Sequence, residues 1–322
     1  MSSRVKAEPI VQEGLPSKST FKRKKKNGDH FGGWRENLAG WLFIGPMLIG
    51  TSILVIFPIL ASLALSFSDW NIVAGYANAR FVGFANFIDL FKNDVFLKSL
   101  GNNFIILISI PITLIVSLAI ATIINKYIYF KDVFKVIFFM PFISSIVAVA
   151  VVFRVLFHPT NGPINQFLMA IGVNNPPGWI ADISFALPSV MIIMIWTGIG
   201  FNLIIYLAGL QNIPKQLYEA AQIDGASAWY QFTKITIPLV SPTTFLLFVT
   251  GIISSFKIFD LIIVLTNGGP ANSTNVPVVY LYQKAFLELK AGYASSVALV
   301  IFVIVLIITY IQFLGQKKWV NY

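Results

Sequence analysis

The sequence predicts an all-α polytopic membrane protein with six transmembrane helices. Of its 322 residues, 57% are hydrophobic and only 11% are charged, whereas about a quarter of the residues in a soluble domain are charged. Six apolar stretches are each long enough to cross about 30 Å of hydrocarbon as a helix. The predicted spans are Leu38–Ser66, Asn102–Ile124, Val133–Phe157, Phe185–Leu210, Thr243–Leu265 and Ala294–Leu314.

The residues before the first span are polar and basic, with their densest cluster at Lys22-Arg23-Lys24-Lys25-Lys26. Such a cluster suits either nucleic acid or the anionic inner face of a membrane. Because a long apolar span starts at Leu38, we expect a disordered tail at the membrane surface and no nucleic-acid partner. A secretory signal is not expected, since the apolar run is too long and no small-residue cleavage site follows it closely.

Lysine and arginine predict which ends of the spans face the cytoplasm. The tail, the loops around 126–135 and 212–242 and the C-terminus carry sixteen of them, whereas the opposite loops carry five. Cytoplasmic loops carry the excess of positive charge, so we expect both termini and the 212–242 loop in the cytoplasm. The expected organisation is a basic cytoplasmic tail over 1–37, a six-helix membrane domain over 38–316 and a cytoplasmic C-terminus over 317–322.

The polar stretch from Asn212 to Pro242 lies between two spans, but its sequence predicts helices. Pro214 suits the first turn of a helix, and Asp224-Gly225 ends that helix, because Gly225 tolerates a positive φ. Ser227 is a favourable N-cap for a second short helix that reaches Ile237. A helix–turn–helix on the membrane surface is suited to docking a soluble partner.

This stretch resembles the EAA loop of the permeases of binding-protein-dependent ABC importers. The matching pattern is Glu219-Ala220-Ala221, three residues, Gly225, nine residues, Ile235, one residue, Ile237 and Pro238. The family has leucine where this chain has Ile237, and Asp224 before the glycine is typical of its sugar-importer branch. The resemblance implies a type I ABC importer permease fold and an ATPase-coupling role for this loop. The residues that it implies in coupling are Glu219, Ala220, Ala221, Asp224, Gly225, Ile235 and Pro238.

Shorter motifs elsewhere resemble the same family in the same order. They are Phe81-Val82-Gly83-Phe84-Ala85-Asn86-Phe87, Asn161-Gly162-Pro163-Ile164-Asn165 with Trp179, and Thr266-Asn267-Gly268-Gly269-Pro270. Each is also consistent with an ordinary turn flanked by interfacial aromatic residues. Together they extend the resemblance over nearly all of residues 38–316.

The fifth predicted span contains two charged residues, Lys257 and Asp260. Each would cost at least about 2.5 kcal/mol to insert alone at the centre of a bilayer. On a continuous helix they are three residues apart and share a face. Two interpretations stay open, namely a structural ion pair between helices and a lining of the translocation path.

Aromatic and hydroxyl side chains in spans three to five suit a sugar, because sugars offer C–H faces for stacking and hydroxyls for hydrogen bonds. In span four these residues surround Gly198 and Gly200, which we interpret as a break in the helix. The candidate substrate path consists of Phe142, Ser145, Trp196, Thr197, Phe201, Asn202, Ser255, Lys257, Phe259 and Asp260. Resemblance to the maltose-type importers implies substrate contacts at Phe142, Ile146, Met194, Thr197, Gly198, Phe201, Ser255 and Ile258, several of which are less polar than in that pattern.

No constellation in the sequence predicts an enzyme. There is no phosphate-binding Walker A sequence, and no cysteine is present for thiolate chemistry. The spacing of His30 and His158 suits neither a metal site nor a catalytic triad. We therefore expect neither a catalytic residue nor a metal ligand, and no cofactor bound by this chain.

The resemblance implies a permease subunit of an ATP-driven importer in a bacterial or archaeal inner membrane, carrying a carbohydrate such as an oligosaccharide. The implied partners are a second homologous permease, two ATP-binding subunits that hold ATP and Mg²⁺, an extracytoplasmic binding protein and the lipid bilayer. Glycerol-phosphate, a polyol or an acidic sugar remains an alternative cargo. An ion-coupled secondary transporter, with Asp260 as its carboxylate, and a membrane scaffold or sensor remain alternatives in other classes.

Overall fold

The computed structural model describes residues 34–75 and 79–320, so the basic cluster at 22–26 lies outside the described residues. Contacts group the chain into two units, Met1–Phe57 and Pro58–Tyr322, and each is described by itself. The helices are α1 Trp34–Thr51, α2 Phe57–Ser66, α3 Ala85–Lys92, α4 Asp94–Ile106, α5 Ser109–Tyr127, α6 Lys131–Ile143, α7 Ile146–Leu156, α8 Pro163–Ala170, α9 Ile183–Gln211, α10 Lys215–Ile223, α11 Ala228–Gln231, α12 Ile237–Leu239, α13 Ser241–Ser255, α14 Asp260–Leu265, α15 Pro277–Tyr282 and α16 Ala291–Trp319.

The prediction of an all-α membrane protein is confirmed in the described part of the chain. Four helical segments are long and apolar enough to cross a membrane, namely Asn37–Ser66, Asp94–Lys126, Ile183–Gln211 and Ala291–Lys317. The number rises to six if each of two bent pairs is counted as one span, Lys131–Ile143 with Ile146–Leu156 and Ala228–Leu239 with Ser241–Ser255. The second span begins eight residues earlier than predicted, at Asp94, where the Asn93 side chain accepts hydrogen bonds from the backbone N–H groups of Val95 and Phe96.

The third span is bent, which the sequence analysis did not predict. Helices α6 and α7 meet at 91°, and both residues between them, Ser144 and Ser145, have extended ψ angles of 144° and 123°. Pro141, in the last turn of α6, lacks the backbone N–H that a helix interior needs. The span predicted over Val133–Phe157 therefore consists of two helices joined by a sharp bend.

The fourth span is continuous, so the predicted break at Gly198 and Gly200 is also wrong. A Cβ atom added at Gly200 would overlap the carbonyl oxygen of Phe138 on α6, and one at Gly198 would lie 3.1 Å from Thr113 Cγ2 on α5. Small residues let membrane helices approach closely where no hydrophobic force drives association. These glycines mark where α9 packs against α6 and α5.

The fifth span is interrupted between Ser255, where α13 ends, and Asp260, where α14 begins. Phe259, just before α14, has φ −122° and ψ −62°, outside helical geometry. Lys257 and Asp260 therefore do not share the face of one helix, and that prediction is wrong.

Gly200→Val is expected to destabilise the fold, because the added atoms would meet backbone rather than flexible side chains. The nearest atoms are the Phe138 carbonyl and Phe139 Cα at 2.9 Å, and overpacking of this kind costs about 1–3 kcal/mol. Thermal unfolding in detergent, followed by size-exclusion chromatography, should show a transition several degrees lower. Gly101→Val is the matched control, since its Cβ would meet no atom within 4 Å. Equal transitions for both variants would contradict this account of α9.

Three apolar clusters hold the second unit together. The largest joins α5, α9 and α13, and its fully buried Tyr206 donates from Oη to Thr244 Oγ1 at 3.2 Å. A second cluster joins α7, α9, α14 and α15, and a third joins α3, α4, α15 and α16.

A small cap joins the end of α2 to α3 and to the start of α16. Its antiparallel strands, β1 Ser68–Asp69 and β2 Arg80–Phe81, pair Ser68 with Phe81. Asn86 of α3 donates from Nδ2 to the carbonyl oxygens of Ser66 and Ser68 at 3.0 Å. The polar asparagine of the Phe81–Phe87 motif thus has a structural task, which is to tie α3 to the end of α2.

Candidate functional site

A cavity of about 450 Å³ lies between α5, α6, α9 and α13 and is the first candidate site. We call it the central cavity. Its volume falls within the roughly 300–1,000 Å³ of small-molecule sites. Its lining consists of Ser109, Ile110, Thr113, Leu114, Phe142, Met194, Gly198, Phe201, Asn202, Leu247, Thr250, Gly251, Ser254, Ser255 and Ile258.

Two stacked aromatic rings form part of the central cavity. Phe142 near the end of α6 and Phe201 on α9 have ring centroids 5.0 Å apart, with an interplanar angle of 28°. Helix α6 ends at Ile143, which leaves Phe142 in its last turn, and the close approach at Gly200 brings α6 and α9 together. Partly exposed aromatic faces of this kind can stack against the C–H face of a sugar ring.

Hydroxyl groups on α5 and α13 also line the central cavity. Ser109 and Thr113 are one turn apart on α5, as are Thr250 and Ser254 on α13. The hydroxyls of Thr113 and Thr250 donate to backbone carbonyls of their own helices at 2.7 and 2.9 Å, and the hydroxyl of Ser109 donates to the Ile106 carbonyl at the end of α4 at 2.7 Å. Their oxygen atoms keep acceptor capacity for a ligand, since a hydroxyl offers one donor and two acceptor sites.

Four residues of the predicted substrate path line the central cavity, namely Phe142, Phe201, Asn202 and Ser255. Met194, Gly198 and Ile258, implied by the maltose-type resemblance, line it as well. Sequence reasoning missed the residues from α5 and the earlier turns of α13. The available signal was the four-residue spacing of Ser109, Thr113 and Ser117 and of Thr250 and Ser254, which places each set on one helix face.

The remaining predicted path residues lie outside this lining. Trp196 packs edge-on against Phe153 with centroids 5.4 Å apart, and Thr197 Oγ1 donates to the Ile193 carbonyl at 2.9 Å. Phe259 packs against Tyr282 at 5.0 Å. Ser145 is exposed between α6 and α7 and gives no capping hydrogen bond, and Ile146 packs against the second cluster.

Lys257 and Asp260 are both exposed at the interruption of the fifth span. The ion pairs of the described residues, Lys135–Asp132, Lys284–Glu288 and Lys290–Glu288, do not include them. The predicted Lys257–Asp260 pairing is therefore not formed within this chain. Both charged residues are close in sequence to residues that line the central cavity, namely Ser254, Ser255 and Ile258.

The loop over 212–242 is the second candidate site, and it folds as its local signals predict. Helix α10 follows Pro214, Gly225 has φ +76°, and Ser227 Oγ accepts a hydrogen bond from the Tyr230 backbone N–H at 3.2 Å. The second helical segment runs through α11, a π-helical turn over Phe232–Thr236 and α12, which contains Pro238.

The second segment of the loop is anchored to the core, whereas α10 is not buried. Ile235 packs against the largest apolar cluster, and Tyr218 Oη lies 2.9 Å from Thr236 Oγ1. Helix α10 has no buried residue, and Leu217 is 43% and Ile223 is 87% exposed. An exposed helix held in place at its base is available to a partner.

Helix α10 has two opposite faces. Lys215, Tyr218, Glu219 and Gln222 are three or four residues apart and line a second cavity. Leu217, Ala220 and the C-cap residue Asp224 fall on the other side of the helical wheel, and Ala220 and Asp224 are exposed like Leu217. The structure thus places Glu219 on the face of that cavity, apart from Ala220 and Asp224.

The described residues contain no group of three or more His, Asp or Glu side chains that could hold a metal ion.

Comparison with known proteins gives one consistent result. Residues 30–319 match the family described as binding-protein-dependent transport system inner membrane component. The chain is 33% identical over 285 residues to the lactose transport system permease protein LacF of Rhizobium radiobacter, covering 87% of this chain and 94% of LacF. It is 30% identical over 294 residues to the arabinooligosaccharides transport system permease protein AraP of Bacillus subtilis, covering 87% of this chain and 90% of AraP.

A solved structure supports the same fold. A chain from the bacterial alginate ABC transporter, in complex with an alginate pentasaccharide-bound periplasmic protein, superposes with a TM-score of 0.78. The two chains are 24% identical, and the match covers 88% of this chain and 97% of the other.

Proposed function

This chain belongs to the family of inner membrane components of binding-protein-dependent transport systems, and from that premise we propose that it forms the translocation path of an ATP-driven importer for a carbohydrate, such as an oligosaccharide. The central cavity is the observation that supports a carbohydrate cargo. It combines the stacked Phe142 and Phe201 rings with hydroxyl groups on two helices. LacF and AraP are named for the transport of lactose and of arabinooligosaccharides, which are of the same chemical class.

The side chains of the central cavity supply both parts of sugar recognition. Phe142 and Phe201 present ring surface to sugar C–H groups, while Ser109 and Thr113 accept hydrogen bonds from sugar hydroxyls. Asn202 adds an amide, and none of the described residues hydrogen-bonds its side chain. An amide offers both donors and an acceptor, which suits a hydroxyl-rich cargo.

The 212–242 loop is the proposed contact with the ATP-binding subunits of the importer. Helix α10 presents an unburied face that carries Leu217 and Ala220, and small residues there allow close docking in a cleft. Two ATP-binding subunits would hold ATP and Mg²⁺ and would move α10. Because α10 is joined to the core through the anchored second segment, its movement would reach the helices around the central cavity.

The proposed setting is a bacterial or archaeal inner membrane, with both termini and the 212–242 loop in the cytoplasm. The excess of lysine and arginine on that side supports this orientation. A second homologous permease would complete the pathway, and an extracytoplasmic binding protein would deliver the cargo from the opposite side.

Reconstituted transport tests this function. The cognate binding protein is first screened against a sugar panel, and the selected sugar is then offered in radiolabelled form to proteoliposomes that contain the full complex. Uptake should require the binding protein and internal ATP, and it should persist when proton and Na⁺ gradients are collapsed. Uptake driven by an ion gradient without ATP would overturn the proposal in favour of a secondary transporter. Absence of flux for any sugar that the binding protein holds would also overturn it.

A further inference from the structure

A second cavity, of about 610 Å³, lies where the end of α5 meets the 212–242 loop. We call it the loop cavity. Its walls come from the last turns of α5, from the inner face of α10 and from α11 with the π-helical turn that follows it. Nothing in the proposed transport cycle uses this space, although it is larger than the central cavity.

The loop cavity lies at a membrane boundary. Lys126, which lines it, is the last residue of the apolar segment Asp94–Lys126. Tyr129 is 98% and Phe130 is 76% exposed just beyond it, and Trp229 in the cavity wall is 73% exposed. Exposed tyrosine and tryptophan side chains are typical of the level of lipid headgroups.

The charges and the apolar lining of the loop cavity are separated along α5. Lys126 and Lys215 supply two ammonium groups, and Glu219 supplies one carboxylate. Lys126 Nζ lies 3.5 Å from Gln231 Oε1, which keeps the ammonium close to α11. Away from these charges the lining includes the apolar Ala119, Ile123 and Phe232, together with the hydroxyls of Thr122 and Thr236.

An apolar track leads from the loop cavity along α5 into the membrane. Ile115, Ala119 and Ile123 are each four residues apart and exposed, and the last two line the cavity. At a helical rise of about 1.5 Å per residue these three positions cover about 12 Å. A groove of this form matches the first part of an acyl chain, with its headgroup at Lys126.

We propose that the loop cavity binds an anionic phospholipid, with its phosphodiester at Lys126 and Lys215 and one acyl chain along Ile123, Ala119 and Ile115. A free anion such as phosphate would leave the apolar lining and the track unfilled. A zwitterionic lipid would bring a cation toward the same two ammonium groups. Basic pockets at the cytoplasmic ends of spans are suited to anionic headgroups.

The lipid would connect the bilayer to α10, because Lys215 belongs to α10 and Lys126 to α5. Bound lipid would therefore hold α10 against α5. During transport the ATP-binding subunits would have to move α10 away from α5. This regulatory part rests on the proposed function, whereas lipid binding itself does not.

Native mass spectrometry of the full complex tests the binding. Phosphatidylglycerol adducts should exceed phosphatidylcholine adducts, and Lys126→Gln and Lys215→Gln should each lower the phosphatidylglycerol adduct about fivefold, since each lysine near a membrane surface contributes on that scale. Lys234→Gln, in the same loop but outside the cavity lining, is the charge-matched control and should not change it. Ile123→Trp should lower adduct formation without a change of charge.

Three results would overturn the binding proposal. They are wild-type phosphatidylglycerol binding in both lysine variants, equal binding of the two lipids, and complete displacement by inorganic phosphate, which would indicate a site for soluble anions. Stimulated ATPase activity in nanodiscs with and without phosphatidylglycerol tests the regulatory part. Stimulation that is insensitive to the lipid overturns the regulation alone, whereas absence of stimulation in every lipid overturns the proposed function and leaves the binding result intact.

Discussion

Gly225→Val is expected to give a protein that inserts into the membrane normally but no longer responds to its ATP-binding subunits. Gly225 has φ +76°, and a Cβ atom there would meet no atom within 4 Å. The penalty is therefore one of backbone conformation, roughly 1–2 kcal/mol for a residue with a side chain and more for a β-branched one. It falls on a nine-residue helix without buried residues, which has little packing energy to offset it.

The effect should be confined to the loop. Gly225 and Ala226 close the end of α10 through backbone hydrogen bonds to the carbonyls of Gln222 and Ala221, at 3.1 and 2.8 Å. Valine at this position would open that end and re-aim α10. The membrane spans do not depend on it, since their apolar lengths determine insertion.

Two measurements check this expectation, copurification of the ATP-binding subunits and binding-protein-stimulated ATPase activity. Both should fall to near background in Gly225→Val. Gly225→Asn is the control, because asparagine tolerates the left-handed region, and it should keep most of both activities. If the valine variant docks and is stimulated like the wild type, the 212–242 loop is not the coupling element.

The 212–242 loop was predictable because its signals are local. Pro214, Gly225 and Ser227 act within a few residues of themselves through a missing N–H, a positive φ and a capping hydroxyl. The apolar lengths of the spans are local in the same sense. Those parts of the fold could therefore be predicted from the sequence before any packing was known.

The bends in the spans could not be predicted in this way. A glycine pair inside an apolar run is compatible with a broken helix or with a close contact, and only the position of the Phe138 carbonyl decides for contact at Gly200. Conversely, the interruption after Ser255 is not marked by a glycine or a proline between 256 and 259. It depends on how α14 packs with α7, which is a tertiary property.

Only part of the lining of the central cavity could be predicted from the sequence. Aromatic residues next to a proline or a glycine drew attention to Phe142 and Phe201, whereas the hydroxyl residues of α5 look like ordinary helix residues. Thr113 donates to the Ser109 carbonyl and Ser109 donates to the Ile106 carbonyl, so nothing in the chain around them requires a partner. Their role becomes visible only where four helices leave a space.

Ser254→Trp is expected to block transport while leaving ATP hydrolysis by the ATP-binding subunits active. Ser254 is exposed, lines the central cavity on α13 and lies one turn from Thr250. An indole in a space of about 450 Å³ would compete with the cargo for the surface of Phe142 and Phe201. If the indole lowers cargo binding by about 1.4 kcal/mol, uptake at a subsaturating sugar concentration falls about tenfold.

The ATPase activity of the same variant distinguishes a filled cavity from a damaged fold. Ser254 lies far along α13 from the 212–242 loop, so binding-protein-stimulated ATP hydrolysis should remain near the wild-type rate while uptake of the labelled sugar falls. Ser254→Ala removes the hydroxyl without filling space and should lower uptake only slightly. Trp196→Ala changes an aromatic residue outside the cavity lining and should leave sugar selectivity unchanged. Normal uptake in Ser254→Trp would mean that the cargo crosses elsewhere, because a cavity on the translocation path cannot accept an indole and still pass a sugar at the wild-type rate.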